Sequence, residues 1–513
     1  MPLATTCQIP YIAFIQSCYR SHPEAFYYYN RLVDHLHQGI DQSQALQSLK
    51  IFRVLLPAPQ TIYPTPFPFE ITEWTEHRDS PTVVVLEGFP SPWCIALLGS
   101  KWPIRPEFFI GHLPLNDGGH YELPTLPSLH DNLARVHYVT LVKPLLDYRD
   151  TYYISRRRSD LTALCLRQEK RLVKDRKYGE TRFRRVNLHD SQLYSIEQTI
   201  SLTVVVEDAD HWHALFLTDQ GRPVINGESF PWSRYNSHGR PAGTLALVPY
   251  NGTPMPIPTP TSTPTQQGRE DGLPGNLDQF HPLKNITVRD ETDHRLLAQD
   301  PFFLFCGVSR PALTSWAQLL NHVAEGIQHA NDRLELGPDE LRFRLDQLQF
   351  HLGMVHRARE LLLESLDFVR QGGCASWPRA RDEGARARKR ALQRGLEADH
   401  AYVLERCRLL VSRCESATSV LVGFAQLAAS ERAIAQAEEV SNLTRLATIF
   451  LPLTFAAGIF GMNITEWGPA VPLRWFFVAV ALLTGLVFSY IYRDACGAAL
   501  GKLWVKVKSL KRI

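Results

Sequence analysis

The run Leu446-Ala-Thr-Ile-Phe-Leu451-Pro-Leu-Thr454-Phe-Ala-Ala-Gly458-Ile-Phe460-Gly461-Met462-Asn463 contains no charged side chain, and its reading decides the fold. A second uncharged run, Trp475 to Tyr492 (WFFVAVALLTGLVFSYIY), follows after a short turn. That second run has about eighteen residues, close to the minimum for a helix crossing the hydrocarbon core of a bilayer. The first run is shorter, but it borrows length from the helix before it and from Gly461-Met462. A buried hairpin in a soluble core is the alternative, and it gives no reason for two adjacent runs free of charge. Two C-terminal transmembrane helices are expected.

Charge gives the orientation. Beyond Tyr492 the tail carries Arg493, Lys502, Lys506, Lys508, Lys511 and Arg512 against Asp494, whereas the turn between the runs holds only Glu466 and Arg474. Basic residues stay on the cytoplasmic side, so the tail is expected inside, and two crossings place the N-terminal part inside as well. Trp467, Trp475 and Trp504 stand where interfacial aromatic belts are expected.

Upstream, Ala401 to Arg445 contains no proline and a single glycine, Gly423, which suits one extended helix running into the first span. Earlier still, Trp316, Leu319, Leu320, Val323 and Ile327 recur at helical spacing. So do Leu341, Leu345, Leu348, Leu352 and Val355, and then Tyr402, Leu409 and Leu410. Gly372-Gly373 and Trp377-Pro378 punctuate a hairpin between two long helices.

The N-terminal half reads differently. Thr82 to Leu86, Cys94 to Leu98, Leu202 to Val206, Ala214 to Leu217 and Thr244 to Val248 are apolar or β-branched runs of strand length bounded by turn residues. A sheet with helices packed on it is the economical reading. Pro249 to Asn276 is rich in proline and almost without large apolar residues, so it is expected to be a disordered loop.

Across all 513 residues, 44% are hydrophobic and 21% charged, which excludes wholesale disorder. The mean hydropathy of −0.18 excludes a chain that is mostly membrane. A net charge of +3 gives no global argument for nucleic acid. The nine cysteines form no C-x-x-C pair, and the first residues lack a basic start followed by a long apolar core. The bulk of the chain is therefore expected to be cytosolic and reduced.

Gly461-Met462-Asn463 stands at the outer end of the penultimate span, after Pro452-Leu-Thr-Phe-Ala-Ala-Gly458-Ile-Phe460 and before a short turn and a last span. This arrangement resembles the CorA family of divalent-cation channels, whose signature is that tripeptide in that place. The likeness is sharp over 442–492 and extends in architecture to the helices before it. It implies a cytoplasmic α/β domain, a long pore helix, two spans and a homopentameric funnel around one central pore. The expected cargo is Mg²⁺, with Zn²⁺ as the alternative within the family.

Helical geometry can be read beside that resemblance. At about 100° per residue, Leu443, Ala447, Leu451, Thr454 and Gly458 fall within an arc of about 80°. Five copies facing an axis would make a narrow tube with hydrophobic rings at Leu443 and Leu451, which gate by dewetting, and a hydroxyl ring at Thr454. Close packing of membrane helices through small residues would produce a similar stripe; the tripeptide favours the pore. Asn463 projects about 200° from Leu443, so the helix must end or turn at Gly461 for the amide to face the axis. A neutral ring of amide oxygens suits Mg²⁺, which sheds water reluctantly and has to leave again. Gly461, Met462 and Asn463 are thus the expected filter, and Glu466 adds a modest attraction for cations.

Two features depart from the family pattern. Arg445 occupies a level that is usually apolar, although it projects away from the stripe, and Ala437 replaces a residue that is often polar. They motivate a second reading, a membrane-anchored scaffold that keeps the fold without conducting.

Other motifs carry less. His211-Trp212-His213, preceded by Asp208 and Asp210, offers two imidazoles on one strand face but no third or fourth metal ligand, and a solvated strand end is the simpler reading. Arg156 to Arg185 holds twelve Lys/Arg against four acids. It reads as a solvated helix face, with attraction to an anionic inner leaflet as an intermediate and nucleic acid not expected. Asn285, Asn442 and Asn463 each begin a glycosylation tripeptide by coincidence. Neither a phosphate-binding loop nor an H-E-x-x-H zinc motif occurs, so an enzyme is not expected.

The expected organisation is a cytoplasmic α/β domain over 1–248, a proline-rich connector over 249–300 and long cytoplasmic helices over 301–445. The first span covers 446–463, the outer loop 464–474, the second span 475–492 and a basic cytoplasmic tail 493–513. Partners are the chain itself, the bilayer (plasma membrane before an organelle membrane) and divalent cations. No resident cofactor is expected; any regulatory Mg²⁺ would sit on carboxylates that one sequence does not single out.

Overall fold

A computed structural model describes residues 2–21, 26–37, 49–53, 81–102, 104–113, 132–143, 151–190, 193–207, 211–221, 243–244, 296–331, 337–461 and 473–491. The strands are β1 (Leu49–Arg53), β2 (Thr82–Glu87), β3 (Ala134–Lys143), β4 (Arg185–Leu188), β5 (Tyr194–Val206), β6 (Trp212–Thr218) and β7 (Gly243–Thr244). The helices are α1 (Pro2–Ser21), α2 (Phe26–Leu36), α3 (Pro92–Lys101), α4 (Pro106–His112) and α5 (Thr151–Lys174). They continue with α6 (Phe302–Asn331), α7 (Pro338–Gln371), α8 (Glu383–Gly461) and α9 (Leu473–Ile491). The chain divides into two units, Met1–Thr418 and Ser419–Ile513.

The first unit is built on a mixed sheet of order β1-β2-β6-β5-β3-β7, with β4 also paired to β5. Only the β2–β6 pair is parallel among the described pairings. The long β5 pairs with β3 along one edge. Its other edge is shared: Tyr194 to Glu197 pairs with β4 and Ile200 to Val206 with β6. Asp219 fills the fork between β4 and β6. It is fully buried, accepts from the Thr199 amide at 2.6 Å, and takes Arg184 Nε on Oδ2 at 2.6 Å. Burial alone would raise the Asp219 carboxyl, but Arg184, His112 and Arg182 outweigh it and hold the group below its ordinary value.

Two apolar cores flank the sheet. One joins α1, α2, α3 and α4 to Val84, Leu86, Leu215 and Leu217. The other joins Ile154, Leu161 and Cys165 of α5 to Val186, Leu188, Tyr194 and Ile196. The third helical layer is α6, whose stripe Trp316, Leu319, Leu320, Val323 and Ile327 is buried as its spacing predicts. It also closes the exposed edge of β3: Trp316 Nε1 donates to the His137 carbonyl at 2.8 Å, and Ser315 Oγ accepts from the Val139 amide at 3.1 Å. Covering unpaired strand groups in this way removes a template for aggregation.

The strands expected at Thr82–Leu86, Leu202–Val206 and Ala214–Leu217 lie in β2, β5 and β6. Cys94 to Leu98 does not form a strand; it lies inside α3. Ser91 Oγ accepts from the Cys94 amide at 3.2 Å and Pro92 takes the first helical position, so the local chemistry starts a helix. A helix buried all round has the same unbroken apolar run as a buried strand. Of Thr244–Val248 only Thr244 is described, in β7, and the loop Pro249–Asn276 lies outside the described residues.

The hairpin at Gly372-Gly373 is present. Gly372 takes a left-handed φ of 66° at the end of α7, and its amide donates to the Val369 carbonyl at 2.9 Å. On α8 the buried face of the first unit is Val403, Cys407, Leu410, Cys414 and Ala417, whereas Tyr402 and Leu409 are exposed. The apolar spacing thus located the helix but assigned two of three residues to the wrong face. On α5, Arg156, Arg167, Lys170, Arg171 and Lys174 form a solvated basic face, while Arg157 turns inward.

Candidate functional site

The last turns of α8 carry the sequence-predicted stripe, all within the second unit. Leu443 and Leu451 are each 68% exposed, and Ala447, Thr454 and Gly458 are exposed as well. A Cβ built on Gly458 or Gly461 meets no atom within 4 Å. In a single chain, therefore, this face packs against nothing. The two buried positions of the same segment are Pro452 and Ala456, the latter 1% exposed. At about 100° per residue they project about 180° and 220° from Leu443, opposite the stripe. On that side Pro452 and Ala456 are covered inside the chain while Arg445 and Ile449 remain exposed, and along the stripe every residue is open.

Hydroxyls line this segment too. Thr454 Oγ1 donates to the Phe450 carbonyl at 2.9 Å and lies 3.0 Å from the Leu451 carbonyl. Thr444 and Thr448 donate likewise to the carbonyls of Val440 and Thr444. The Thr454 proton is thus committed to the backbone, leaving the oxygen lone pairs as acceptors toward the open side. Water bound to a divalent cation presents hydrogens outward, and this oxygen has the polarity to receive them. Pro452 has no amide to give the Thr448 carbonyl, so the helix ladder is interrupted at that level.

Helix α8 is described as far as Gly461; Met462, Asn463 and Glu466 lie outside the described residues. Arg445 is exposed on the side away from the stripe. Among the described residues, α8 is the one helix with a window long and apolar enough to cross a membrane, and α9 contains the shorter apolar stretch Arg474–Ser489.

Among the described residues, no group of three or more His, Cys, Asp and Glu side chains is placed to hold a metal ion. His213 stacks on Trp102 with ring centroids 4.9 Å apart, and its Nε2 lies 3.1 Å from Glu207 Oε1. It is thus engaged by a ring and a carboxylate, and His211 precedes the strand rather than sharing its face.

Sequence reasoning missed the buried pair Pro452 and Ala456, because small side chains leave no periodic signal. It also missed Asp300, which is fully buried below the origin of α8. Its carboxylate accepts from the Phe302 amide at 3.0 Å and from Lys389 Nζ at 2.7 Å, tying the start of α6 to the first turns of α8. A buried acid in a polar loop has no distinctive spacing.

Residues 280–493 match the profile of the family described as CorA-like Mg²⁺ transporter protein. Over that stretch the chain is CorA-like. The CorA-like segment takes in α6, α7, α8 and α9, and the whole seven-stranded sheet lies before it. No curated protein matches the chain. That description is of a family of Mg²⁺ transporters.

Proposed function

We propose that the protein is a homopentameric channel that passes a hydrated divalent cation, Mg²⁺ first, down its electrochemical gradient. The observation that carries this reading is the two-sidedness of the last turns of α8. Pro452 and Ala456 are buried inside the chain, and the opposite stripe from Leu443 to Gly458 is bare. A bare stripe of alternating bulky and small residues in a CorA-like segment is the wall a pore needs. Leu443 and Leu451 form apolar constrictions, Thr454 offers acceptors to the ion's water shell, and Gly461-Met462-Asn463 forms the filter at the outer mouth. Glu466 draws cations toward that mouth. Helix α9 is the second span, both ends of the chain are cytoplasmic, and the basic tail holds that orientation. A negative interior drives uptake, since each elementary charge gains about 2.3 kcal/mol per 100 mV.

The test is Mg²⁺ flux into liposomes containing the purified full chain. Wild type is expected to conduct, and Asn463→Ala to reduce flux at least about tenfold by removing the amide oxygens that hold the water shell. Zn²⁺ added as a competitor separates the two family cargoes. Absence of flux from correctly assembled protein favours the non-conducting scaffold, and flux unaltered by Asn463→Ala removes the filter assignment.

A further inference from the structure

Three histidines distant in sequence meet where α7 crosses the α/β domain. His189 follows β4, His322 lies on α6 and His351 on α7. The His189 ring centroid is 5.5 Å from that of His322 and 6.4 Å from that of His351. His351 is 4% exposed, and neither of its ring nitrogens has a hydrogen-bond partner among the described residues. His189 is 1% exposed; its Nε2 lies 2.7 Å from Ser195 Oγ and its Nδ1 has no partner among the described residues. Gly326 of α6 makes the room: a Cβ there would stand 2.8 Å from His351 Cε1.

Every element around the pair contributes a group that bears on its charge. From α5, Arg158 donates to the carbonyls of Leu188 and His189 at 2.8 and 3.0 Å and to Gln347 Oε1 at 2.7 Å. Its guanidinium carbon also lies 3.7 Å from the centroid of the Phe350 ring. From the turn after β4, Asp190 Oδ2 lies 3.0 Å from His322 Nε2. From α7, Asp346 acts on Arg158 across the same cluster. Asp190 is engaged with His322 and only partly offsets the lowering of His351, while the unpartnered ring nitrogens, both of His351 and Nδ1 of His189, lie in the field of the Arg158 cation. Burial, followed by Arg158 and His322, pushes His351 down to about 3. Burial, followed by the neighbouring histidines and Arg158, lowers His189 as well.

We propose that the contact of α7 with the α/β domain is an acid-released joint, in which His189 and His351 stay neutral only while α7 is docked beside Arg158. Undocking gives both imidazoles to water, where each takes a proton below about pH 6.5. Acid therefore pulls the docking equilibrium open, and the sign is fixed: docking is strongest above pH 6.5 and weakens as pH falls. The other ties of α7 to the sheet are the ion pair of Arg357 Nε with Glu197 Oε2 at 2.7 Å and the contact of Glu364 Oε2 with His137 Nε2 at 3.1 Å. Beyond Gly372, α7 leads into α8, and Ser365 Oγ lies 3.1 Å from His400 Nε2 of that helix. A cytoplasmic proton concentration thus reaches the helix that carries the bare stripe. The joint itself does not depend on transport.

Hydrogen–deuterium exchange on the full chain in lipid nanodiscs between pH 7.5 and 5.0 tests it, after correction for intrinsic exchange. Protection of 345–358 is expected to fall by up to about a hundredfold for each pH unit below 6.5, a factor of up to ten for each imidazole. His351→Gln is expected to reduce that dependence to about tenfold. Protection at 345–358 in wild type that does not change with pH overturns the proposal. So does a loss of equal size in every element of the first unit, which would mean general acid unfolding and no joint.

Discussion

Asp219 shows how one side chain holds a sheet together where two strands share an edge. At the fork on β5 it answers the Thr199 amide, Arg184 and His112, with Arg182 Nη1 3.8 Å from its Oδ1. Asp219→Asn keeps the shape and leaves two guanidinium groups beside a neutral amide. A buried charge that loses its partner costs about 3–5 kcal/mol, so thermal unfolding of the full chain should shift down clearly. Because the carboxyl is held below its ordinary value of 3.8, the cost should be complete at neutral pH. It should shrink only as strong acid protonates the wild-type group. A pH-independent difference between the two proteins would mean that the charge is not what binds the fork.

Among the elements, legibility followed the kind of signal each one carries. The stripe of α6 repeats bulky apolar residues at helical spacing, and it packs as that spacing says. Strand β3 went unseen because Arg135, His137 and Thr140 break its apolar character; their partners Glu364, Thr199 and Gln198 come from distant sequence. Helix α3 was misread because one serine and one proline, rather than the apolar run, set its geometry. The stripe of α8 was drawn from a rotation of about 100° per residue together with the tripeptide, and the structure shows its residues exposed. The histidine cluster was not, since residues 189, 322 and 351 meet only through packing. Trp316 links two of these levels, filling the layer between α6 and the sheet while its indole closes the β3 edge. Trp316→Ala should therefore cost about 3–5 kcal/mol. Trp316→Phe, which keeps most of the volume but leaves the His137 carbonyl without its donor, should cost about 1–3 kcal/mol. Denaturant unfolding of the full chain measures both, and equal losses would assign the whole effect to the hydrogen bond.

For the whole molecule, the decisive question is what covers the bare stripe of α8. A lipid-facing helix needs no partner for such a face, because hydrocarbon solvates leucine as well as another helix does. A ring of identical chains instead brings the same position of each copy toward one axis, so residues on the stripe approach their own counterparts. Disulfide geometry separates the two cases, since Cα atoms must come within about 4.4–6.8 Å. Gly458→Cys suits the test: a Cβ there meets nothing inside the chain, and the position lies in the middle of the stripe's arc. Oxidising membranes that contain this variant should give dimers on a denaturing gel, and if the proposed five-membered ring forms, one chain of each ring is left unpaired. Ala456→Cys, on the buried side of the same helix, should give none, and the wild type with its own cysteines sets the background. Cross-linking through residue 456 but not residue 458 would turn the helix around and remove the pore wall. Cross-linking at neither would leave the stripe facing lipid, where no ion can follow it.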